Sequence, residues 1–521
     1  MNSKLFANNP NAADTTNAAG GRAYALSHQM ALLQYAVTGT FNDTFYTGAE
    51  AQLNDVLKFA QACDSQWIAR VAIYARQYGF MKDAPAFLVA FLSTRPEKEL
   101  FNFTFDAVID NVGMARTFVQ MMRSGVVGRK SLGSTPKKAV ARLLNTLSGD
   151  KVFFQCAGTS PSIEDVLRLT HAKPRDAEHD ALFGYLLGKD YLWENLPSTV
   201  KAFEDYKSGR STEVPHVDFR RLTALQLTTE QWRAIGRQMT WNQLRLNLNT
   251  LARHDAFDTE FTQYVATRLR DVEAIKRQKV LPFAVYNALS NLDAKVPPSV
   301  RSALGFCLDQ SLYNAPELTE PTLILTDSSG SMTTAITGNR GSATSSLQCV
   351  GAAAMFAASL LKRNPDNVTV IPFDTVLHPV KLNPRDSLES ITRDLTRNGG
   401  GTDCSCGIRW ALHSAKWKNI LIISDNESWY DGVRGGGSYS YYHQPKATAM
   451  ANVWAEYRRK VPNAKLICWD LSPNATIQAK NDASVLNIGG FTESAYELVR
   501  DWYNNSDRDL FFQRVNAIPL R

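Results

Sequence analysis

From Pro321 onward the chain alternates short apolar runs of strand length with helix-like stretches, and nothing before residue 320 does so. The runs are residues 321–327 (PTLILTD), 367–373 (NVTVIPF), 418–425 (KNILIISD) and 464–471 (AKLICWDL). Between them lie helix-like residues 346–363, 406–417 and 447–460. Strands that are apolar throughout must be covered on both faces, and intervening helices supply that cover. The pattern predicts a doubly wound parallel sheet. Small residues crowd the first of these helices (Gly351, Ala352, Ala353, Ala354, Ala357, Ala358), so it can approach the sheet closely. Two polar insertions, 337–345 and 430–445, follow strand carboxyl ends, where open α/β sheets place their ligand sites.

The first 310 residues read as helix almost throughout. Trp67, Ile68, Val71, Ala72 and Ala75 recur at helical spacing, as do apolar residues in 84–93 and 105–122. Pro161–Ser162 opens another helix with acids in its first turn, and Pro282 sits in the first turn of a later one. Residues 231–254 carry two such patterns with a break near Thr240. Many short helices with short connections predict stacked helix pairs, an α-solenoid.

At 521 residues the chain is too long for one core. Its 44% hydrophobic and 21% charged residues are ordinary for a globular protein. No apolar run reaches membrane-spanning length, and the start has no secretory apolar core, so a cytoplasmic protein is expected. Seven cysteines include one isolated C-x-C, Cys404 and Cys406, which predicts free thiols rather than a zinc site. The net charge is +7, with most of the excess in the first 300 residues. That hints at an acidic partner for the helical part.

Directly after the first strand, TDSSGSM places Asp327, Ser329 and Ser331 in a D-x-S-x-S turn. One carboxylate and two hydroxyls are hard oxygen ligands suited to magnesium. Asp425 ends the third strand, and the loop NGGGTDCS supplies Thr402. A polar turn alone explains Ser and Gly; the strand, the glycine loop and the second strand-ending Asp add the context. The pattern resembles the metal-ion-dependent adhesion site of von Willebrand factor type A domains. The resemblance implies Mg2+ or another divalent cation on Asp327, Ser329, Ser331, Thr402 and Asp425, with an open position that takes a partner's carboxylate. Asp403 and Glu427 lie close in sequence, but acids in such loops more often bind water or orient ligands than act as a base, and no catalytic residue is expected.

The helical part resembles the TROVE domain, shared by telomerase-associated and Ro proteins. The residues that carry this are 20–48 (GGRAYALSHQMALLQYAVTGTFNDTFYTG), 165–174 (DVLRLTHAKP), 232–251 (WRAIGRQMTWNQLRLNLNTL) and 281–289 (LPFAVYNAL). TROVE followed by a type A domain is the Ro arrangement. It implies a HEAT-like helical-repeat ring (solenoid) over residues 18–318 and a type A domain over 319–508. Residues 1–17 would be a flexible tail, and 509–521 a tail that packs back on the ring. It further implies small noncoding Y-like RNAs on a basic outer surface and the single-stranded ends of misfolded RNAs in the cavity. The role would be noncoding RNA quality control. An exoribonuclease or another protein would meet the type A domain, and the chain would be a monomer.

Two basic clusters fit that expectation: Arg129, Lys130, Lys137, Lys138 and Arg142, then Arg168, His171, Lys173 and Arg175. Lys and Arg neutralise phosphates, and His can stack on an unpaired base. His171 matches the family's RNA-contacting histidine. Each cluster alone reads as a solvated helix face, and His171 alone as a cap. A protein-binding scaffold without RNA is the competing function. A metal phosphohydrolase using His179 and Asp180 is a third. GYLLGKD at 184–190 is one residue short of a phosphate loop and reads as a helix end.

Overall fold

The computed structural model describes residues 12–157, 161–222, 225–278, 280, 282–339, 341, 347–397, 399–429, 447–505 and 509–520. The insertion 430–445 and part of 337–345 lie outside them. The chain divides into two compact units. One holds Met1–Cys63, Lys279–Asn291 and Gly305–Ala517; the other holds Asp64–Gln278, Leu292–Leu304 and Ile518–Arg521.

In chain order the described strands are β1 (Thr15–Thr16), β2 (Arg22–Ala25), β3 (Thr322–Asp327), β4 (Val368–Phe373), β5 (Asn419–Ser424), β6 (Lys465–Asp470), β7 (Thr476–Ile477) and β8 (Val485–Gly489). The main sheet of the first unit runs β4-β3-β5-β6-β8, parallel at every step. All four expected strands are present. The fifth, β8, is a short apolar run that the sequence reading passed over. β3, β5 and β8 are buried along their whole length, as strands covered on both faces must be. The small-residue helix forms as Cys349–Arg363, buried on every side from Cys349 to Leu361. At Gly407 a Cβ would lie 2.3 Å from Leu325 Cδ1, so only glycine lets the helix Cys406–Ala411 lie this near β3.

The N-terminal residues depart from expectation. β1 pairs antiparallel with β2, and β2 with β7, joining Tyr24 to Ile477. The helix His28–Thr38 then packs against β8. The compact units therefore do not divide at residue 318. Residues as far as Cys63 pack with the α/β sheet, because β2 satisfies backbone groups of β7. Residues 12–17 are also not a free tail: the Asn17 side chain donates to the Ser428 carbonyl at 2.7 Å.

In the second unit the main helix contacts join helices one to three places apart along the chain, the local pattern of stacked helix pairs. The helix breaks lie where capping chemistry puts them. Asn111 separates Lys98–Val108 from Val112–Ser124 by accepting from the Met114 N–H at 2.9 Å. Thr240 caps Trp241–Arg253 through a reciprocal pair with Gln243, and Thr228 does the same with Gln231 for Thr229–Gln238. Ser162 and Asp165 form the same box at Ile163–Thr170. At the chain's end, the helix Leu510–Asn516 buries Phe511 and Val515 in the first unit. In the second unit the Ile518 carbonyl accepts from Arg70 Nε at 3.2 Å. All seven cysteines are buried, and none forms a disulfide. Among the described residues no helix is long and apolar enough to cross a membrane.

Candidate metal centre and basic surface

β3 and β5 are neighbours, in register from Thr322 opposite Asn419 to Thr326 opposite Ile423. Their carboxyl ends therefore bring the D-x-S-x-S turn beside Ser424 and Asp425. Ser424 Oγ donates to Asp327 Oδ2 at 2.5 Å, and the Ser329 N–H donates to Asp327 Oδ1 at 2.8 Å. Ser331 Oγ lies 3.2 Å from Ser329 Oγ, and Ser331 and Asp425 line one cavity. The glycine loop is strapped onto this turn: the Gly399 N–H donates to the Ser328 carbonyl at 2.6 Å, and the Gly330 N–H to the Gly400 carbonyl at 3.0 Å. Thr402 ends that loop, buried, with its carbonyl accepting from the Trp429 N–H at 3.2 Å.

Burial and the charge of Asp425 push the Asp327 carboxyl up to about 7. Burial also raises Asp425. Glu427 is pushed up to about 7 by burial and by Asp425, although it accepts the Ala18 N–H at 2.8 Å. Among the described residues neither Asp327 nor Asp425 is ion-paired with Lys or Arg. Two buried carboxylates without a cation are costly, and hard oxygen donors of this kind suit a divalent ion. Among the described residues no three His, Cys, Asp or Glu side chains group closely enough to hold a metal alone. The hydroxyls of Ser329, Ser331 and Thr402 would complete the donor set. Asp403 is engaged elsewhere, accepting from Ser405 N at 2.9 Å and pairing with Arg409 at 3.2 Å. It is a turn former and has no free carboxylate for a base.

The two basic clusters meet in the second unit. The first lies mainly on the helix Ser134–Thr146, the second on the end of Ile163–Thr170 and the loop after it. Asn145 joins them: its Nδ2 donates to the Lys173 carbonyl at 2.9 Å and its Oδ1 accepts the Arg175 N–H at 3.0 Å. Lys130, Lys138, Arg142, Arg168, His171, Lys173 and Arg175 are exposed, and Lys137 is half-buried. Arg142 pairs with Asp106 at 2.7 Å and Arg175 with Asp176 at 2.8 Å. Lys130, Lys137, Lys138, Arg168 and Lys173 have no ion pair among the described residues. Arg129 does not belong with them: it is half-buried and spends its guanidinium on Ser93, at 2.9 Å to Oγ. His171 takes its expected role as a cap. Its backbone caps the helix at φ 51°, with its N–H donating to Leu167 at 3.0 Å, while its ring stays exposed.

The family description of the Ro60 vWA domain matches residues 322–503, the segment that holds this sheet and its metal-site turn. Over these residues the chain is similar to von Willebrand factor type A domains of the Ro60 kind. Along most of its length the chain is also similar to the RNA-binding protein RO60 of Deinococcus radiodurans. The two are 25% identical over 474 residues, 83% of this chain and 87% of the relative. The crystal structure of the Deinococcus radiodurans Ro (RSR) protein superposes with a TM-score of 0.60 at 20% identity. It covers 92% of this chain and all of that one. That likeness shows the fold: helical repeats with a type A domain, the Ro arrangement that the sequence resembles. Neither name is that of an enzyme.

The Ro-type architecture leaves the other motifs to structural roles. His179 is fully buried, with Nδ1 2.7 Å from Asp176 Oδ1 and Nε2 2.9 Å from the Leu147 carbonyl. Both ring nitrogens face oxygen acceptors, so neither offers a lone pair to a metal. Asp180 is exposed on the same helix. Gly188 ends that helix at φ 64°, and the Lys189 N–H donates back to Gly184. The GYLLGKD stretch is thus a helix end. Asn145, Tyr46 and Asn474, which border the two sites, carry no sequence motif. The contacts that tie Asn145 to Lys173 and Asn474 to Asp425 span 28 and 49 residues of chain.

Proposed function

We propose that this chain is an RNA-binding ribonucleoprotein component of the Ro type. The observation that carries the reading is the Asn145 junction, which makes one basic face of two sequence clusters. Phosphates of a folded RNA would lie along Lys130, Lys137, Lys138, Arg142, Arg168, Lys173 and Arg175, with His171 available to an unpaired base. The Deinococcus relative, named as an RNA-binding protein, supports the class of ligand. The finer reading is a small noncoding Y-like RNA on this face, with single-stranded ends of misfolded RNA entering the cavity of the ring that the resemblance implies. The setting would be noncoding RNA quality control in the cytoplasm, by a monomer.

The type A domain would hold Mg2+ through Asp327, Ser329, Ser331, Thr402 and Asp425. It would serve binding, to an exoribonuclease or another protein, without turnover. Bound there, the ion would neutralise the paired carboxylates and fix the turn. The fit rests on the donor chemistry: hard oxygens and buried carboxylates without a basic partner.

The test is competition binding with linear, circular and fully duplex forms of one RNA, over a salt series. The linear form should bind best, affinity should fall steeply with salt, and His171→Ala should hurt the single-stranded end more than the duplex. Equal affinity for all three forms, in wild type and His171→Ala alike, would leave only a generic basic surface. RNA binding lost as fully as metal binding in Asp327→Ala would overturn the division of labour between the sites.

A further inference from the structure

Within the α/β unit, the chain's own N-terminal residues border the metal-site turn. A cavity of about 210 Å³ lies there, with Ser331, Asp425 and Glu427 on one side and Tyr46, Asp55 and Asn474 among its other walls. The N-terminal wall is pinned on two sides. Near Ser428, Asn17 Nδ2 donates to the Ser428 carbonyl and Ala18 N to Glu427. A Cβ on Gly21 would lie 2.1 Å from the Ser428 carbonyl oxygen, so the chain passes here with no room to spare. Near Thr337, Asn42 Nδ2 donates to its carbonyl at 2.8 Å, and the Asn339 N–H donates to Asp43 at 2.7 Å. Tyr46 and Ser331 both line the cavity.

Most of the free groups facing this space are acceptors; the Thr476 hydroxyl, also buried and unpartnered in this wall, can donate or accept. Asp55 uses Oδ2 for the Tyr35 hydroxyl at 3.0 Å, and Glu427 uses Oε2 for the Ala18 N–H. Asn474 is 6% exposed. Its Nδ2 donates to the Asp425 carbonyl at 3.1 Å and to Asp470, and its Oδ1 has no partner. A buried, unmet acceptor beside two carboxylates calls for a donor. An incoming carboxylate offers none and would be repelled. Water bound to a divalent cation is a strong donor, and at roughly 30 Å³ per water the cavity holds about seven. Among the described residues no three carboxylates group closely enough to hold an ion together directly.

We propose that this chamber is the outer shell of the metal site: waters on a magnesium ion donate to Asp55, Glu427 and Asn474. The N-terminal segment thereby retains the ion and closes it to a partner's carboxylate. The proposal rests on the metal reading above. Outer-shell partners of this kind are worth about 10–100-fold in metal affinity.

The experiment is calorimetric titration of metal-stripped, full-length protein with magnesium chloride, with metal-free melting curves for each variant. Asp55→Asn and Asn474→Ala should each weaken magnesium at least tenfold, and a glutamate-containing peptide should leave the wild-type affinity unchanged. Wild-type affinity in Asp55→Asn, which keeps size and shape, while Asp327→Ala loses the ion, would overturn the outer shell and leave the metal reading standing. Peptide-enhanced magnesium binding would overturn the closure. Unchanged binding in Asp327→Ala would instead remove the metal reading itself.

Discussion

Arg175 is held to Asn145 twice: its backbone N–H donates to the Asn145 side-chain oxygen at 3.0 Å, and its guanidinium reaches the Asn145 backbone carbonyl. One half-buried asparagine thus sets where the His171–Arg175 loop stands against the helix that carries Lys138 and Arg142.

Asn145→Ala should therefore act on RNA through geometry. It removes no charge, so RNA affinity should fall severalfold while the salt dependence keeps its slope. Lys138→Ala removes a phosphate partner and should flatten that slope by about 0.9. The stability cost of Asn145→Ala should be about 1–2 kcal/mol, for three lost side-chain hydrogen bonds at a partly exposed site. Binding measured from low to high salt separates the two variants; an identical change of slope in both would refute the positioning role.

Asp327 and Glu427 hold their protons in the fold up to about pH 7, whereas unfolded carboxyls release them near pH 4. Their contribution to the stability of the metal-free protein is fully present below the unfolded range. It is lost as the pH rises through about 7. Magnesium needs the ionised forms, so it competes with these protons. The rise in melting temperature on adding magnesium should be small at pH 5.5 and larger at pH 8. Asp327→Asn should abolish that difference. An equal rise at both pH values would contradict the assignment of these groups.

His179 and Asp180 should behave oppositely. His179→Ala leaves the buried Leu147 carbonyl without its partner and opens a cavity, costing about 2–4 kcal/mol. Asp180→Ala, on an exposed face, should change stability by less than about 0.5 kcal/mol. Denaturant melts would measure both. A metal-dependent phosphatase activity lost in Asp180→Ala would revive the hydrolase reading.

The C-terminal helix should be a stabilising element. Phe511 is 1% exposed and Val515 fully buried, while Arg514 pairs with Glu497 at 3.2 Å and with Asp501. Phe511→Ala should cost about 3–5 kcal/mol, and deleting residues 509–521 should lower the melting temperature further. An unchanged melting profile in the deletion would show that this packing contributes nothing.

The sequence by itself determined what depends on neighbours in the chain. Helix starts at Ser162, Thr228 and Thr240 follow from side chains that reach their own backbone three residues on. Strand-length apolar runs marked β3, β4, β5 and β6, and D-x-S-x-S marked the polar turn after β3, because strand and turn chemistry are local. The tertiary structure decided everything that needs a distant partner. It put β5 beside β3, which brings Asp425 to Asp327 from 98 positions away. It drew residues 14–63 into the α/β unit through two short strand pairings too brief to leave a periodicity. It turned Arg129 toward Ser93 and left Lys138 outside, although both look alike as basic residues in the sequence. It also left Asn474 Oδ1 buried without a donor beside the metal-site turn. Periodicity and capping report forces within a few residues; burial and charge pairing depend on which remote surfaces meet, and only the folded chain makes that choice.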